Sequence, residues 1–210
     1  MNLIIAGVGG QGTVLLSRLV GQAALDKGFD IRGSETIGMA QRGGSVVSHV
    51  RVGADIHSPL IPPKGAGLII AFEPGEAVRA LPFLSADGAM VVFDRPVHAA
   101  SGAPDGGAYD AAAMLAYLRA QVGRLTVVEG ARALAACGGA KAINVALLGV
   151  AAAGGLLPFD LADAERALRA RIPARLLDMN LRALAYGASL ADGTPADAYT
   201  DTDAPRGDRP

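Results

Sequence analysis

The stretch NLIIAGVGGQGTVLLSRLVGQAALDKG, residues 2–28, decides the fold. Residues 2–6 form a short apolar run, which predicts a strand buried on both faces. Gly7-Val8-Gly9-Gly10-Gln11-Gly12 follows as a glycine turn. Residues 13–27 place Val14, Leu15, Leu19, Ala23 and Leu25 near a 3.6-residue period, the pattern of a helix with apolar faces, and Gly28 is set to cap it. Residues 29–32 (FDIR) read as a second short strand. A strand, a glycine loop, a helix and a strand in this order open a doubly wound α/β domain.

The pattern continues outward from that unit. Residues 33–44 (GSETIGMAQRGG) are polar and punctuated by glycine, and long irregular loops in compact domains are usually functional or disordered. In residues 45–52, Val46, Ser48, Val50 and Val52 alternate with Val47, His49 and Arg51, so a strand is expected. Gly53-Ala54 is positioned to fold it back on residues 55–58 as a hairpin, with Pro59, Pro62 and Pro63 ending any ladder. GLIIAF at 67–72 and AMVVF at 89–93 are continuous apolar runs, expected as buried parallel strands, with a short helix at 76–84 between them. A loop at 98–108, a helix at 109–122 and a strand at 125–129 come next. The remainder is helical: 130–136, a very apolar and therefore central 140–153, then 160–171 and 176–190. The expected architecture is a three-layer, Rossmann-like, mostly parallel sheet with an inserted hairpin and C-terminal helices. It covers one domain, residues 1–191, followed by a disordered tail at 192–210 rich in Asp, Thr, Pro, Ala and Gly.

Composition narrows the function. Lys+Arg 19 against Asp+Glu 20 leaves a net charge of -1, so no global pull toward nucleic acid or an anionic membrane exists. Trp is absent and aromatics are 4%, which leaves few platforms for stacking single-stranded bases. A hydrophobic fraction of 51% rules out disorder for the bulk of the chain. The most apolar stretch, 145–157, falls short of the ~18–20 residues of a spanning helix. The start lacks the basic and long apolar regions of a signal peptide, so a soluble, cytoplasmic protein without a membrane segment is expected. One cysteine, Cys137, allows no internal disulfide and no zinc or iron–sulfur ligand cluster. If the chain takes part in electron transfer, the metal belongs to another chain.

The glycine loop at 7–12 fits G-x-G-x-x-G between a strand and a helix. Backbone N–H groups can approach an anion there, and the helix N-terminus adds partial positive charge. The same glycines also serve a tight turn with close helix–strand packing, and both readings stand. A dinucleotide site further needs an acid at the end of the second strand. Glu35 has nearly that spacing but lies in the polar loop, and Asp30 lies inside the strand, so the match is poor. In Gly38-Met39-Ala40-Gln41-Arg42-Gly43-Gly44-Ser45, an Arg beside a Gly pair offers a forked cation to a phosphate or carboxylate; a solvated loop Arg is the alternative. His49, His57 and His98 lack metal-ligand spacing, and His49 reads as a packed strand residue. Cys137 reads as a small buried hydrophobe. Ser45 and Ser48 belong to no recognisable triad, and no carboxylate pair offers an acid/base couple. A chain this poor in catalytic side chains reads as part of an enzyme.

GVGGQGTVLLSRLV at 7–20, SETIGMAQRGGSVVSHVRVG at 34–53, SPLIP at 58–62, AFEPGEAVRALPFL at 71–84, AINVALLG at 142–149 and MNLRALAYG at 179–187 together resemble the gamma-type domain of 2-oxoacid:ferredoxin oxidoreductases. The Met-Ala-Gln-Arg-Gly-Gly-Ser-Val version of the second motif is most similar to the small, beta-type subunits of the indolepyruvate enzymes in that family. Related subunits serve pyruvate, 2-oxoglutarate and phenylglyoxylate enzymes.

The resemblance implies a subunit of an enzyme that decarboxylates a 2-oxoacid on thiamine diphosphate, passes electrons through iron–sulfur clusters to ferredoxin and releases an acyl-CoA. Thiamine diphosphate and the clusters would sit on a larger partner, with no cofactor bound by this chain alone and coenzyme A as a substrate. The chain would cover the active site and help admit coenzyme A. Gly9, Gly10, Gln11 and Gly12, with Arg42, Gly43, Gly44 and Ser45, would face the partner or the coenzyme A path. No catalytic side chain and no metal ligand is expected here. Two other readings are a self-contained NAD(P)- or FAD-binding oxidoreductase using 7–12 and Glu35, and an assembly scaffold with a vestigial loop.

Overall fold

The structure is a computed structural model that describes residues 1–35, 44–96 and 109–191. Six strands are present among them: β1 (Asn2–Val8), β2 (Ile31–Glu35), β3 (Ser45–Val52), β4 (Ala66–Ala71), β5 (Leu84–Phe93) and β6 (Arg124–Val128). The helices are α1 (Thr13–Asp26), α2 (Pro74–Ala80), α3 (Ala111–Gln121), α4 (Gly130–Cys137), α5 (Ile143–Ala153), α6 (Leu161–Arg171) and α7 (Ala174–Ser189). The strands form one sheet in the order β2-β3-β1-β4-β5-β6. β1, β4, β5 and β6 are parallel neighbours, while β3 runs antiparallel to both β1 and β2.

Two apolar layers sandwich this sheet, which explains the unbroken hydrophobic runs. Leu3, Ile5, Leu68, Ile70, Val91 and Phe93 face a core completed by α1 and α4 to α7. Their alternates Ile4, Ala6, Ile69, Ala71, Met90 and Val92 face a second core with α2 and α3. Strands covered on both sides carry apolar residues at every position, because each side chain direction leads into a core. α5 is buried over all but its last residue, so its apolar all-round composition marks a central helix. Among the described residues no single helix is long and apolar enough to cross a membrane.

Several expectations change. The inserted strand pair is β2 with β3, paired Ile31 to Val52 through Glu35 to Ser48; residues 55–58 form no strand. The physical reason lies at the end of β3. The Val52 N–H donates to the Met1 carbonyl and the Gly53 N–H to the Asp30 carbonyl, so the strand is already bonded on both sides. The following segment is held across the sheet face instead. Arg51 Nη1 donates to the Ser58 carbonyl at 2.9 Å, and the Ile61 N–H donates to His49 Nδ1 at 3.1 Å.

The second strand also begins later than expected, at Ile31, because Phe29 turns into the core and its N–H bonds the Ala24 carbonyl after the helix end. Glu35 is thereby a strand residue and not a loop residue. On α1 the buried stripe is Leu16, Leu19, Val20, Ala23 and Ala24, and Leu25 points outward at 54% exposure. β5 starts at Leu84, five residues before the apolar run, because a bulge between Ala66 and Leu68 lets its polar start pair with β4. The tail at 192–210 lies outside the described residues.

Candidate functional site

In a doubly wound sheet, ligands bind beyond the strand C-termini where the chain's winding reverses. Here that point lies between β1 and β4. From β1 the chain passes through α1 on one face toward the β2 edge; from β4 it passes through α2 on the other face toward β5. The glycine loop after β1 and Phe72-Glu73 after β4 therefore meet at this point.

Local chemistry shapes the loop. Val8 N–H donates to Gln11 Oε1 at 2.6 Å, and Gln11 Nε2 donates to the Phe72 carbonyl at 3.2 Å. Gln11 is thus a staple between the two strand ends, and its amide group is occupied. The Gly9 N–H donates to the Gly44 carbonyl at 2.9 Å, joining the loop to the start of β3. Gly10 and Gly12 have φ of 98° and 88°, conformations that a side chain would strain. A Cβ on Gly12 would also fall 2.7 Å from Asn144 Nδ2, which reaches from the first turn of α5 to the Gly12 carbonyl at 3.4 Å. A Cβ on Gly10 would meet nothing within 4 Å, so this residue opens onto free space.

That space is a crevice of about 330 Å³. Gly10 and Gln11 form one wall, Phe72, Phe93 and Leu134 the apolar floor, and Ala140, Lys141 and Ile143 the far wall; Arg95 stands at its side. Arg95 and Lys141 are exposed. Arg95 follows β5, and its aliphatic part packs on Gly130, where a Cβ would strike Arg95 Cγ. Lys141 lies in the single 3-10 turn that leads into α5. Two cations, the start of α5 and the glycine loop that leads into α1 therefore border one cleft. Helix N-termini leave four N–H groups without intrahelical partners and carry partial positive charge. The arrangement suits an anion with an apolar portion. A second groove of about 220 Å³, between α1 and the β2 edge, has polar groups engaged with one another: Ser17 Oγ donates to Glu35 at 2.6 Å and Arg171 to Gln22 at 2.6 Å.

Behind the glycine loop lies a buried acidic pair that sequence reasoning missed. Glu73 and Glu76 are 1% and 2% exposed. Glu73 Oε1 accepts the Glu76 N–H at 2.5 Å, capping α2, and Glu73 Oε2 accepts the Tyr109 hydroxyl. Tyr109 in turn accepts the Gly75 N–H at 2.8 Å. Burial, then the bond to Glu73, push the Tyr109 phenol well above its ordinary range, so it remains a donor. Glu76 Oε2 accepts the Ser45 hydroxyl at 2.5 Å, and Glu76 Oε1 accepts Arg79 at 2.5 Å. The carboxylates are thus hydrogen-bond acceptors within the fold. An acid at a helix start followed three residues later by another, in Glu73-Pro74-Gly75-Glu76, has capping spacing and was the available signal.

Of the residues expected at the site, Gly9, Gly10, Gln11, Gly12, Gly44 and Ser45 gather at the β1 end. Arg42 and Gly43 lie outside the described residues. Arg95, Lys141, Phe72, Phe93 and Asn144 were not foreseen, because their approach depends on strand order and helix docking. Cys137 is 1% exposed, and burial raises its thiol pKa, which suits a packing role. His49 packs edge-on against Phe83 at 5.5 Å, the packed role expected of it. Glu35 does not approach the glycine loop. β3 separates its strand from β1, and its carboxylate is bound to Ser17. A dinucleotide site with Glu35 on the ribose therefore lacks its geometry.

Fold and cleft define a doubly wound α/β domain with an anion-suited crevice at its switch point. Residues 2–190 match the family model described as pyruvate ferredoxin/flavodoxin oxidoreductase, and the chain belongs to that family. It is 34% identical to indolepyruvate oxidoreductase subunit IorB of Archaeoglobus fulgidus, over 93% of this chain and 98% of that one. It is 33% identical to the IorB subunit of Methanothermobacter thermautotrophicus, over 90% and 97%. Among solved structures it resembles the gamma subunit of a keto/oxoacid ferredoxin oxidoreductase from Geobacter sulfurreducens, with a TM-score of 0.63 and 21% identity over 90% of this chain and 97% of that one. It also resembles 2-oxoglutarate:ferredoxin oxidoreductase from Magnetococcus marinus, solved with 2-oxoglutarate, coenzyme A and succinyl-CoA bound. The TM-score is 0.64 and the identity 18%, over 97% of this chain and 32% of that one.

Proposed function

We propose that this chain is the small subunit of an indolepyruvate-type 2-oxoacid:ferredoxin oxidoreductase, and that it covers the active site of a larger partner and helps admit coenzyme A. The crevice at the β1/β4 switch point supports this reading: a glycine loop, two cations and an apolar floor border it, a lining that suits an acyl carrier with phosphate groups. The Gly10 amide and the first turn of α1 would receive phosphate oxygens, and Arg95 and Lys141 would neutralise charge. Arg42, two residues before Gly44 in the sequence, would add a forked donor to the same anion. The 34% identity to an indolepyruvate oxidoreductase subunit over almost the full length of both chains favours an arylpyruvate as the 2-oxoacid.

Thiamine diphosphate and iron–sulfur clusters fit the partner and not this chain. A cluster takes four thiolates, whereas this chain has one cysteine, and that thiol is buried. The chain's own work is to bind, orient and exclude water while electrons pass through the partner to ferredoxin.

The test is reconstitution. Purified alone, the chain should be colourless and unable to oxidise indolepyruvate; added to its larger partner, it should restore coenzyme A-dependent reduction of ferredoxin. Turnover by the lone chain, or a stoichiometric flavin or nicotinamide bound to it, would overturn the proposal. Restored assembly with unaltered coenzyme A dependence in crevice variants would leave only the scaffold reading.

A further inference from the structure

We infer that Glu76, a residue that cannot itself reach a ligand, is a positioning residue for the glycine loop and acts on it through Ser45 and Gly44; the functional consequence rests on the reading of that loop as a coenzyme A contact. Glu76 is 2% exposed, and a buried carboxylate is unfavourable unless its oxygens are hydrogen-bonded. Capping α2 does not need it, since Glu73 supplies the cap. What Glu76 gains is directed sideways. Its Oε2 holds the hydroxyl of Ser45, the first residue of β3, at 2.5 Å. The preceding carbonyl, that of Gly44, accepts the Gly9 N–H at 2.9 Å. Ser45 also stands opposite Val8 in the β1–β3 register.

A second path reaches the same loop from the same helix end. Phe72, directly before Glu73, accepts Gln11 Nε2 through its carbonyl. The two paths arrive at Gly9 and Gln11, the residues on either side of Gly10. Gly10 is the loop residue that opens onto the crevice, so its amide is aimed by neighbours tied to the start of α2. Charge-assisted bonds are shorter and stronger than neutral ones, which suits an acid for this role. Arg79, bonded to Glu76 Oε1 and 66% exposed, offsets the charge from the solvent side.

The experiment compares Glu76→Ala, Ser45→Ala and the conservative Glu76→Gln. Amide exchange is read by mass spectrometry on a peptide spanning 7–16 in the full chain, and the KM for coenzyme A is read in the assembled enzyme. Glu76→Ala and Ser45→Ala should speed exchange in that peptide by about tenfold, with the β4 peptide unchanged. The KM should rise about fivefold or more while kcat stays within about twofold. Glu76→Gln retains an acceptor for Ser45 and should recover most of both effects. Faster exchange with an unchanged KM supports the positioning role and removes the coenzyme A reading of the loop. Unchanged exchange in Ser45→Ala overturns the inference; because Ser45 is exposed, that variant decides the matter even where Glu76→Ala does not fold.

Discussion

Gly149 of α5 and Gly187 of α7 are interlocked. A Cβ on Gly149 would fall 2.2 Å from the Leu184 carbonyl oxygen, and a Cβ on Gly187 would fall 1.9 Å from the Ala146 carbonyl oxygen. Each glycine thus receives the backbone of the other helix, and the two helices approach more closely than any side chain permits. This contact seats α7 on the central helix, and the N-terminus of that same central helix borders the crevice.

Gly149→Ala and Gly187→Ala should each lower stability by about 3 kcal/mol, as overpacking against backbone does. For a chain of this size that corresponds to roughly 6–12 °C in Tm. Gly123→Ala, where a Cβ meets nothing within 4 Å, is the control and should leave Tm unchanged within error in the same thermal scan.

Lys141→Ala and Arg95→Ala should each raise the KM for coenzyme A by about 5–20-fold in the assembled enzyme, the size of one charge-assisted contact. Both side chains are exposed, so Tm of the isolated chain should not move. Arg42→Ala should act in the same direction. A loss of subunit association without any KM change would favour the scaffold reading.

His49 should make stability depend on pH. Burial lowers its pKa from 6.5, so the folded state prefers the neutral ring, whose Nδ1 accepts the Ile61 N–H. The unfolded chain takes up the proton first. Stability from this residue is therefore complete above pH 6.5 and declines as pH falls from there toward the lowered folded value. His49→Asn keeps an acceptor without a titrating ring, and the slope of Tm against pH between 7 and 5 should flatten relative to wild type.

Asp160 and Asp163 cap α6 reciprocally: Asp160 accepts the Asp163 N–H at 2.9 Å, and Asp163 accepts the Asp160 N–H at 3.0 Å. Asp160→Ala should cost about 1 kcal/mol, measurable by urea unfolding. The bond to the Asp163 backbone holds the Asp160 carboxyl below its ordinary 3.8. Its contribution is present above pH 3.8 and is lost as pH falls through the lowered value, so the wild-type advantage over Asp160→Ala should shrink in acid.

Local pattern carried much of the architecture. The runs 2–6, 67–72 and 89–93 announce strands covered on both faces, and residues 140–153 announce a buried helix, which the structure starts at Ile143 after a 3-10 turn, because burial on every side leaves little place for a polar residue. The inserted hairpin was legible only as a strand at 45–52. Its partner was not: the sequence offered 55–58, whereas the strand that pairs with it is Ile31–Glu35, and the choice was made by bonds to Met1 and Asp30 at the far end of the sheet. At the site, the glycine loop announced itself by spacing. Gln11 did not show that it was a staple and not a contact, and the acidic pair showed only its capping spacing.

By itself the sequence determined the order of strands and helices apart from the strand expected at 55–58, the glycine loop after β1, the poverty in metal ligands and the motifs of the family, all of which are short-range patterns or counts. Tertiary structure alone decided that β3 enters between β1 and β2, carrying Glu35 away from the loop. It alone brought Arg95 and Lys141 to the same cleft as Gly10. Those outcomes depend on which strand edges pair and which helix faces dock, and such choices are settled by contacts between residues far apart in the chain.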